Sequence, residues 1–250
     1  MPEDLVTAEG VAPLSQGARF IDTFVAPSKT FTDIRRSASW WLPFLFIFVV
    51  CMVFVTAVDK KVGFDQIAQK QIEQNKFAAD QINALPADQR AVQYHKAAQR
   101  TKVSSYCIPV FILIFGAIVS LLWWGTVNFA FGAKTKYWEI FAIWMYASLP
   151  KALMSLVVVI VLFAGVSTDN FDMQNPLGTN PGYYMADAGA GVRAALSFFD
   201  LFGLWSIILA IIGISIVARK SKGQAAIVVL CWWIFGLLLS AGGAALISPS

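Results

Sequence analysis

Residues 40–58, WWLPFLFIFVVCMVFVTAV, form an uncharged stretch that decides the fold class of this chain. The stretch is apolar on every side, without the alternation that marks a strand of a membrane barrel. At 1.5 Å per residue, a helix of this length reaches across most of a hydrocarbon core about 30 Å thick. Because lipid offers no partners for backbone amides and carbonyls, such a stretch must be helical. It therefore predicts a transmembrane helix, span 1.

The rest of the chain contains further long apolar runs, and its overall composition is also that of a membrane protein. Four further apolar runs predict spans 2 to 5: residues 106–133, 138–167, 194–218 and 223–248. The whole chain is 58% hydrophobic and 14% charged, whereas soluble domains carry roughly 25% charged residues. The predicted fold is an all-α polytopic bundle of five transmembrane helices, with the lipid bilayer as its solvent.

The reactive side chains exclude several classes of function. Cys51, Cys107 and Cys231 lie in apolar runs without a CxxC pair, so they are interpreted as packed apolar thiols. His95 is the only histidine, which leaves no zinc-type site. No motif of a protease, hydrolase or nucleotide-binding loop is present. We therefore expect no enzyme activity, no cofactor and no metal. Because the net charge is only +4 and no basic run exceeds two residues, nucleic acid is not expected as a partner.

Charges in the short connections predict the orientation. Basic residues precede span 1, separate spans 2 and 3, and separate spans 4 and 5: Arg35, Arg36, Lys134, Lys136, Arg219, Lys220 and Lys222. Residues 168–193 carry more acids than bases. Since basic connections stay in the cytoplasm, the N-terminus is predicted to be cytoplasmic and the C-terminus extracytoplasmic. The expected location is the bacterial cytoplasmic membrane.

The N-terminal arm, residues 1–39, is predicted to be cytoplasmic and to carry a short interfacial helix. Thr30 and Asp33 have the spacing of a capping box, and Phe31 and Ile34 share one helical face. Such a helix could anchor the arm in the membrane surface. The alternative is that it docks a cytoplasmic partner.

Two segments outside the spans remain. Residues 59–105 are rich in helix-forming residues, and Pro86 suits the first turn of a second helix. They predict an extracytoplasmic helical hairpin, either an inert spacer or a surface that binds a partner. Residues 168–193 are dense in Asn, Pro and Gly, which predicts a turn-rich extracytoplasmic loop with or without a grip on a ligand.

Lys151 and Asp200 are the candidate site residues, because a charge at mid-bilayer costs about 2.5–3.5 kcal/mol on insertion scales. Counting 1.5 Å per residue puts the two at similar depths in spans 3 and 4, with a gap of about 4 Å. The hypothesis is an intramembrane charge pair that holds the two spans together. The alternatives are separate snorkelling of each charge or a transport or proton site. Pro150, which frees the carbonyl of Tyr146, predicts a kink in span 3.

Three stretches resemble the YIP family of five-span membrane proteins, in particular its bacterial members. FVAPSKTFTDIRRSASWWLPFLF is similar to the family's approach to its first span, and five residues carry this likeness: Pro27, Phe31, Ile34, Trp41 and Pro43. AKTKYWEIFAIWMYASLPKAL resembles the start of the third span, and residues 198–213, with Trp205, resemble the fourth. The likeness covers about residues 20–245, with 59–105 resembling an insertion.

The resemblance implies a non-catalytic integral membrane protein that acts as a scaffold or as a partner in assembly or trafficking. Eukaryotic members bind Rab-type GTPases and work in vesicle traffic, but the DLYGP-like motif is absent here, so GTPase binding is not carried over. Protein partners or self-association are expected instead. The alternative function is a small permease or channel subunit that uses Lys151 and Asp200. Transport would require one of them to meet water, whereas a scaffold would have both sealed and paired.

Overall fold

The computed structural model describes residues 12–169, 171–185 and 187–247. Residues 1–11 of the predicted arm and residue 248 of span 5 lie outside these ranges. Two short helices open the described chain, α1 (Gln16–Val25) and α2 (Pro27–Ile34). The Ser15 side chain caps α1 by accepting a hydrogen bond from the Ala18 amide at 3.1 Å. Pro27 lies in the first turn of α2, where its missing N–H costs nothing.

The first two spans are separated by three helices. Span 1 is α3 (Trp41–Lys61). The segment before span 2 forms α4 (Phe64–Gln74), α5 (Lys76–Asn83) and α6 (Ala87–Tyr106). Span 2 is α7 (Ile108–Gly125), which continues into a π-helical turn, Thr126–Ala130. The first arm of the predicted hairpin is therefore two helices, because the Asn75 side chain caps a new helix by accepting from the Ala78 amide.

The remaining spans follow with two interruptions. Span 3 is divided into α8 (Tyr137–Ala147) and α9 (Leu149–Phe163). A loop with one short 3-10 turn, Pro181–Tyr184, leads to α10 (Ala190–Ser197). Span 4 continues as α11 (Leu201–Ala218), and span 5 is α12 (Lys222–Ile247). Five stretches of the described chain are long and apolar enough to cross a membrane. The prediction of an all-helical polytopic bundle is confirmed.

Two ends of the bundle can be distinguished. The proximal end carries Trp41, Ala130, Tyr137, Ala218 and Lys222. The distal end carries the opposite ends of the spans together with α4, α5, α6 and the loop before α10. At the distal end, α4 and α6 pack on the ends of spans 1 and 3 through a shared apolar cluster that includes Val58, Phe64, Ile67, Ala98 and Leu162. The predicted hairpin is therefore packed on the bundle.

The centre of the bundle is α8, whose residues from Ile140 to Ala147 are buried except for Trp144. Two glycines allow its neighbours to come close. Gly116 of α7 lies directly against the Trp144 ring, where a Cβ would collide. Gly213 of α11 lies against Ile143 of α8 and against the N-terminal arm.

The N-terminal arm contributes to this core. The side chains of Phe31 and Ile34 are fully buried in the main apolar cluster, so this face of α2 contacts protein and not lipid. The predicted capping box is wrong, because α2 begins at Pro27 and Thr30 lies inside it. The Thr30 hydroxyl donates instead to the Arg19 carbonyl at 2.9 Å. Thr30 and Asp33 have the spacing of a capping box, but they make tertiary contacts with the neighbouring helix α1 instead.

Candidate functional site

The predicted span 4 is interrupted between Ser197, where α10 ends, and Leu201, where α11 begins. Asp200 is the N-cap residue of α11. Its Oδ1 atom accepts a hydrogen bond from the Gly203 amide at 2.9 Å and so caps α11. Its Oδ2 atom accepts a hydrogen bond from the Thr179 hydroxyl. The Thr179 carbonyl accepts in turn from the Leu201 amide at 3.1 Å. The loop before α10 is thus tied to the start of α11 through Thr179.

Span 3 is interrupted at Ser148, whose hydroxyl donates to the Trp144 carbonyl at 2.8 Å. Pro150 lies in the first turn of α9, where no intrahelical N–H bond is required. The Lys151 amide bonds to the Ser148 carbonyl at 3.1 Å. Lys151 is therefore the third residue of α9 and lies in its first turn.

Two contacts between spans 1 and 3 define the depth of Lys151. Near the proximal end, the rings of Trp40 and Phe141 are 5.1 Å apart. Near the distal end, Lys61 Nζ lies 4.7 Å from the centroid of the Phe163 ring. Lys151 lies between these two positions of span 3, about 15 Å of helix beyond the first and about 18 Å before the second. Its Cα is therefore close to the middle of span 1.

Lys151 and Asp200 approach the same point of α11. A Cβ built on Gly203 would lie 3.8 Å from Asp200 Oδ1 and 3.9 Å from Lys151 Cε, so these two atoms are less than about 8 Å apart. The ion pairs among the described residues do not include these two groups. The Lys151 side chain is exposed and Asp200 is partly buried. The structure thus brings the two candidate residues together as neighbours without a direct salt bridge.

Hydrogen bonds between side chains connect the loop before α10 to the end of α10. Asn180, which is 7% exposed, donates to Asn175 Oδ1 at 2.6 Å. Asn175 donates to the Ser197 hydroxyl, at the end of α10, at 3.2 Å. The loop predicted only as turn-rich is therefore bonded to both halves of span 4.

A second charged cluster was not predicted from the sequence. The Arg19 guanidinium donates to the Asp33 carboxylate, and the two side chains are only 3% and 7% exposed. Arg36 also pairs with Asp33. Arg19 donates further to the Ser37 carbonyl at 2.8 Å. The cluster joins α1 to α2 beside the fully buried Tyr146, whose hydroxyl donates to Gln16 Oε1 at 3.4 Å.

A sequence signal for this cluster did exist. Phe20 and Phe24 recur four residues apart, as do Arg19 and Thr23 on the adjacent face. That spacing is typical of a helix with one apolar face. Phe20 and Phe24 do pack against the core, through Phe46 and Trp205.

The possible metal ligands and the three cysteines do not cluster in the part of the chain that the structure describes. Among the described residues, no group of His, Cys, Asp and Glu could hold a metal ion. The prediction of packed thiols is wrong for Cys107 and Cys231, whose side chains are exposed on the bundle surface. In lipid this exposure leaves an apolar thiol in an apolar medium, which explains why it is tolerated.

Together, these features define a class of protein: a multi-pass helical membrane protein in which short breaks separate α8 from α9 and α10 from α11. A sequence model of the Yip1 domain matches residues 21–243. The chain belongs to the Yip1 domain family, which confirms the resemblance seen in the sequence. No curated protein and no solved structure matches the chain.

Proposed function

We propose that this protein is a non-catalytic membrane scaffold or assembly partner, and that another membrane protein covers the face bearing Lys151. Among the described residues of this chain alone, Lys151 is neither sealed nor paired, so a scaffold requires a partner to cover it. The exposed lysine at mid-depth is the observation that carries this proposal. A charged side chain facing lipid there costs at least about 2.5–3.5 kcal/mol. Asp200 offsets this cost only in part, because no direct salt bridge joins the two groups. Contact with a second protein would remove the charge from lipid.

The proposal can be tested by replacing position 151 itself. After replacement of Cys51, Cys107 and Cys231 by alanine, Lys151→Cys should resist a membrane-impermeant maleimide in native membranes. A photoreactive amino acid at position 151 should give protein adducts, and one at the exposed Leu121 of span 2 is the matched control. Adducts with lipid alone would contradict the proposal. Adducts with a second copy alone would exclude a different partner protein and indicate self-association.

The pairing of Lys151 with Asp200 remains part of the proposal. Their separation of less than about 8 Å is within the reach of a lysine side chain that changes rotamer. Asp200→Asn keeps an oxygen that can cap α11 but removes the charge. In a double-mutant cycle with Lys151→Met, we expect a coupling of about 0.5–3 kcal/mol in the free energy of unfolding. Additive effects would show that the two charges act separately.

A small permease or channel subunit is the second candidate, and one observation favours it. Spans 3 and 4 are both interrupted beside the same charges, and Thr179 reaches the break from the distal loop. Substrate sites of transporters are often built from such discontinuous helices. This function requires water at the site, so rapid maleimide labelling of Lys151→Cys would favour it over the scaffold.

A further inference from the structure

The helices α6 and α7 follow each other closely at the distal end of the bundle. Only Cys107 separates them, and its amide is shared between the carbonyls of Val103, at 3.2 Å, and Ser104, at 3.1 Å. Pro109 follows and has no amide proton to donate. The junction between α6 and α7 is therefore irregular where the chain enters the predicted span 2.

A shallow, open groove of about 550 Å³ lies along the junction of α6 and α7. All of its lining residues belong to α6, α7 or Cys107 between them. Lys96 and Arg100, one turn apart, line its outer part, whereas Val103, Cys107 and Phe111 line its inner part. These five side chains are all exposed. One groove thus joins a cationic end to an apolar end.

Two neighbouring positions indicate the depth of each end of the groove. Lys102, on the same helix, pairs with Asp59 near the end of span 1 at 2.8 Å, and the hydrogen bond that Lys102 donates to Asp59 raises the pKa of Lys102. This pair lies where span 1 leaves the hydrocarbon. Phe111 lies about 16 Å of helix beyond Arg100, inside span 2. The cationic end is therefore at headgroup level and the apolar end at the level of acyl chains.

Lys96 and Arg100 have no acidic partner in the part of the chain that the structure describes. Two free cations one turn apart fit a phosphate group, which accepts several charge-assisted hydrogen bonds. The apolar end fits a hydrocarbon chain. An acidic peptide would leave Phe111 and Val103 unused, and an apolar helix would leave both cations buried without a counter-charge.

We propose that this groove binds an anionic phospholipid of the distal leaflet. Its phosphate contacts Lys96 and Arg100, and one acyl chain lies along Val103, Cys107 and Phe111. The proposal does not depend on the scaffold function or on Lys151. It concerns a different face of the molecule.

The test compares phosphatidylglycerol with phosphatidylcholine as probes. The protein is reconstituted with each lipid carrying a photoreactive group in its acyl chain, and the adducts are mapped by mass spectrometry. We expect phosphatidylglycerol adducts within residues 103–111. The double variant Lys96→Gln and Arg100→Gln should reduce them at least tenfold, as loss of two headgroup contacts predicts. Val103→Trp, which fills the groove without altering charge, should reduce them as well.

The matched control removes two basic side chains elsewhere, by Lys29→Gln in α2 and Arg90→Gln at the outer part of α6. It should leave the adducts within residues 103–111 unchanged. Equal adducts from phosphatidylcholine, or unchanged adducts in the Lys96 and Arg100 double variant, would overturn the proposal. So would adducts confined to the basic connections of the proximal end. Circular dichroism and a monodisperse elution profile confirm that each variant is folded.

Discussion

At the scale of single residues, glycines decide how closely the central helices approach. Gly213 lies where α11 meets α8 and α2, and a Cβ there would lie 2.6 Å from Ile143 Cγ2 and 3.0 Å from the Phe31 ring. Both of these side chains are fully buried among other core residues. In a membrane, where water does not drive helices together, close packing of this kind is a main source of stability.

This packing predicts the effect of Gly213→Ala. Alanine favours a helix by about 1 kcal/mol over glycine, but overpacking at this position should cost about 1–3 kcal/mol. We expect a lower Tm in detergent, measured by the loss of monodisperse protein on heating. Gly242→Ala in α12 is the control, since a Cβ there has nothing within 4 Å. If both variants had the same Tm, close packing of Gly213 against Ile143 and Phe31 would not contribute to stability.

At the scale of elements, the N-terminal helices pack against the bundle through one face. The apolar face of α2 is covered by α11 and α8, and α1 extends the contact through Phe20 and Phe24. The buried pair of Arg19 and Asp33 joins the two helices. Removing one partner of such a pair usually costs about 3–5 kcal/mol, because the other charge stays buried.

Arg19→Met should therefore loosen the N-terminal helices. Arg36 still pairs with Asp33, so we expect an effect near the lower end, about 3 kcal/mol. The measurement is the rate of tryptic cleavage after Lys29 in the purified protein, which should rise. Asp22→Asn alters a charge on the same helix outside the ion pair and should leave the rate unchanged. Equal cleavage of all three proteins would show that the pair does not hold the helices.

The divided spans belong to the same scale. Asp200 and Thr179 complete a helix start inside span 4, and Ser148 marks the boundary within span 3. Without these partners the free amides and carbonyls at a break would be costly in lipid. The loop before α10 therefore supports the membrane part of the molecule in addition to connecting it.

At the scale of the whole molecule, five spans place the two termini on opposite sides of the membrane. The short basic connections lie at the proximal end, which we expect to face the cytoplasm. Residues 59–105 at the distal end are also net basic, but a segment of this length crosses the membrane with less regard to its charge. A fluorescent protein fused before Met1 should therefore fluoresce, and alkaline phosphatase fused after Ser250 should be active. Phosphatase fused after Ser221 should be inactive and serves as the control. Active phosphatase at both positions would contradict the predicted topology.

The sequence by itself determined the number of spans, the helical class and the family. These properties depend on hydropathy over windows of about 20 residues, which is local information. Sequence counting also singled out Lys151 and Asp200, because an isolated charge in an apolar run is visible without any contact map.

Only the tertiary structure decided what surrounds these charges. Thr179 is 21 residues from Asp200 in the chain and Asp33 is 14 from Arg19, so no local periodicity joins either pair. The same holds for Phe31, whose burial depends on a glycine of span 4. The position of each span depends on the preference of that segment for lipid. The helix breaks and the buried charges depend instead on hydrogen-bond and ion-pair partners that are distant in the sequence.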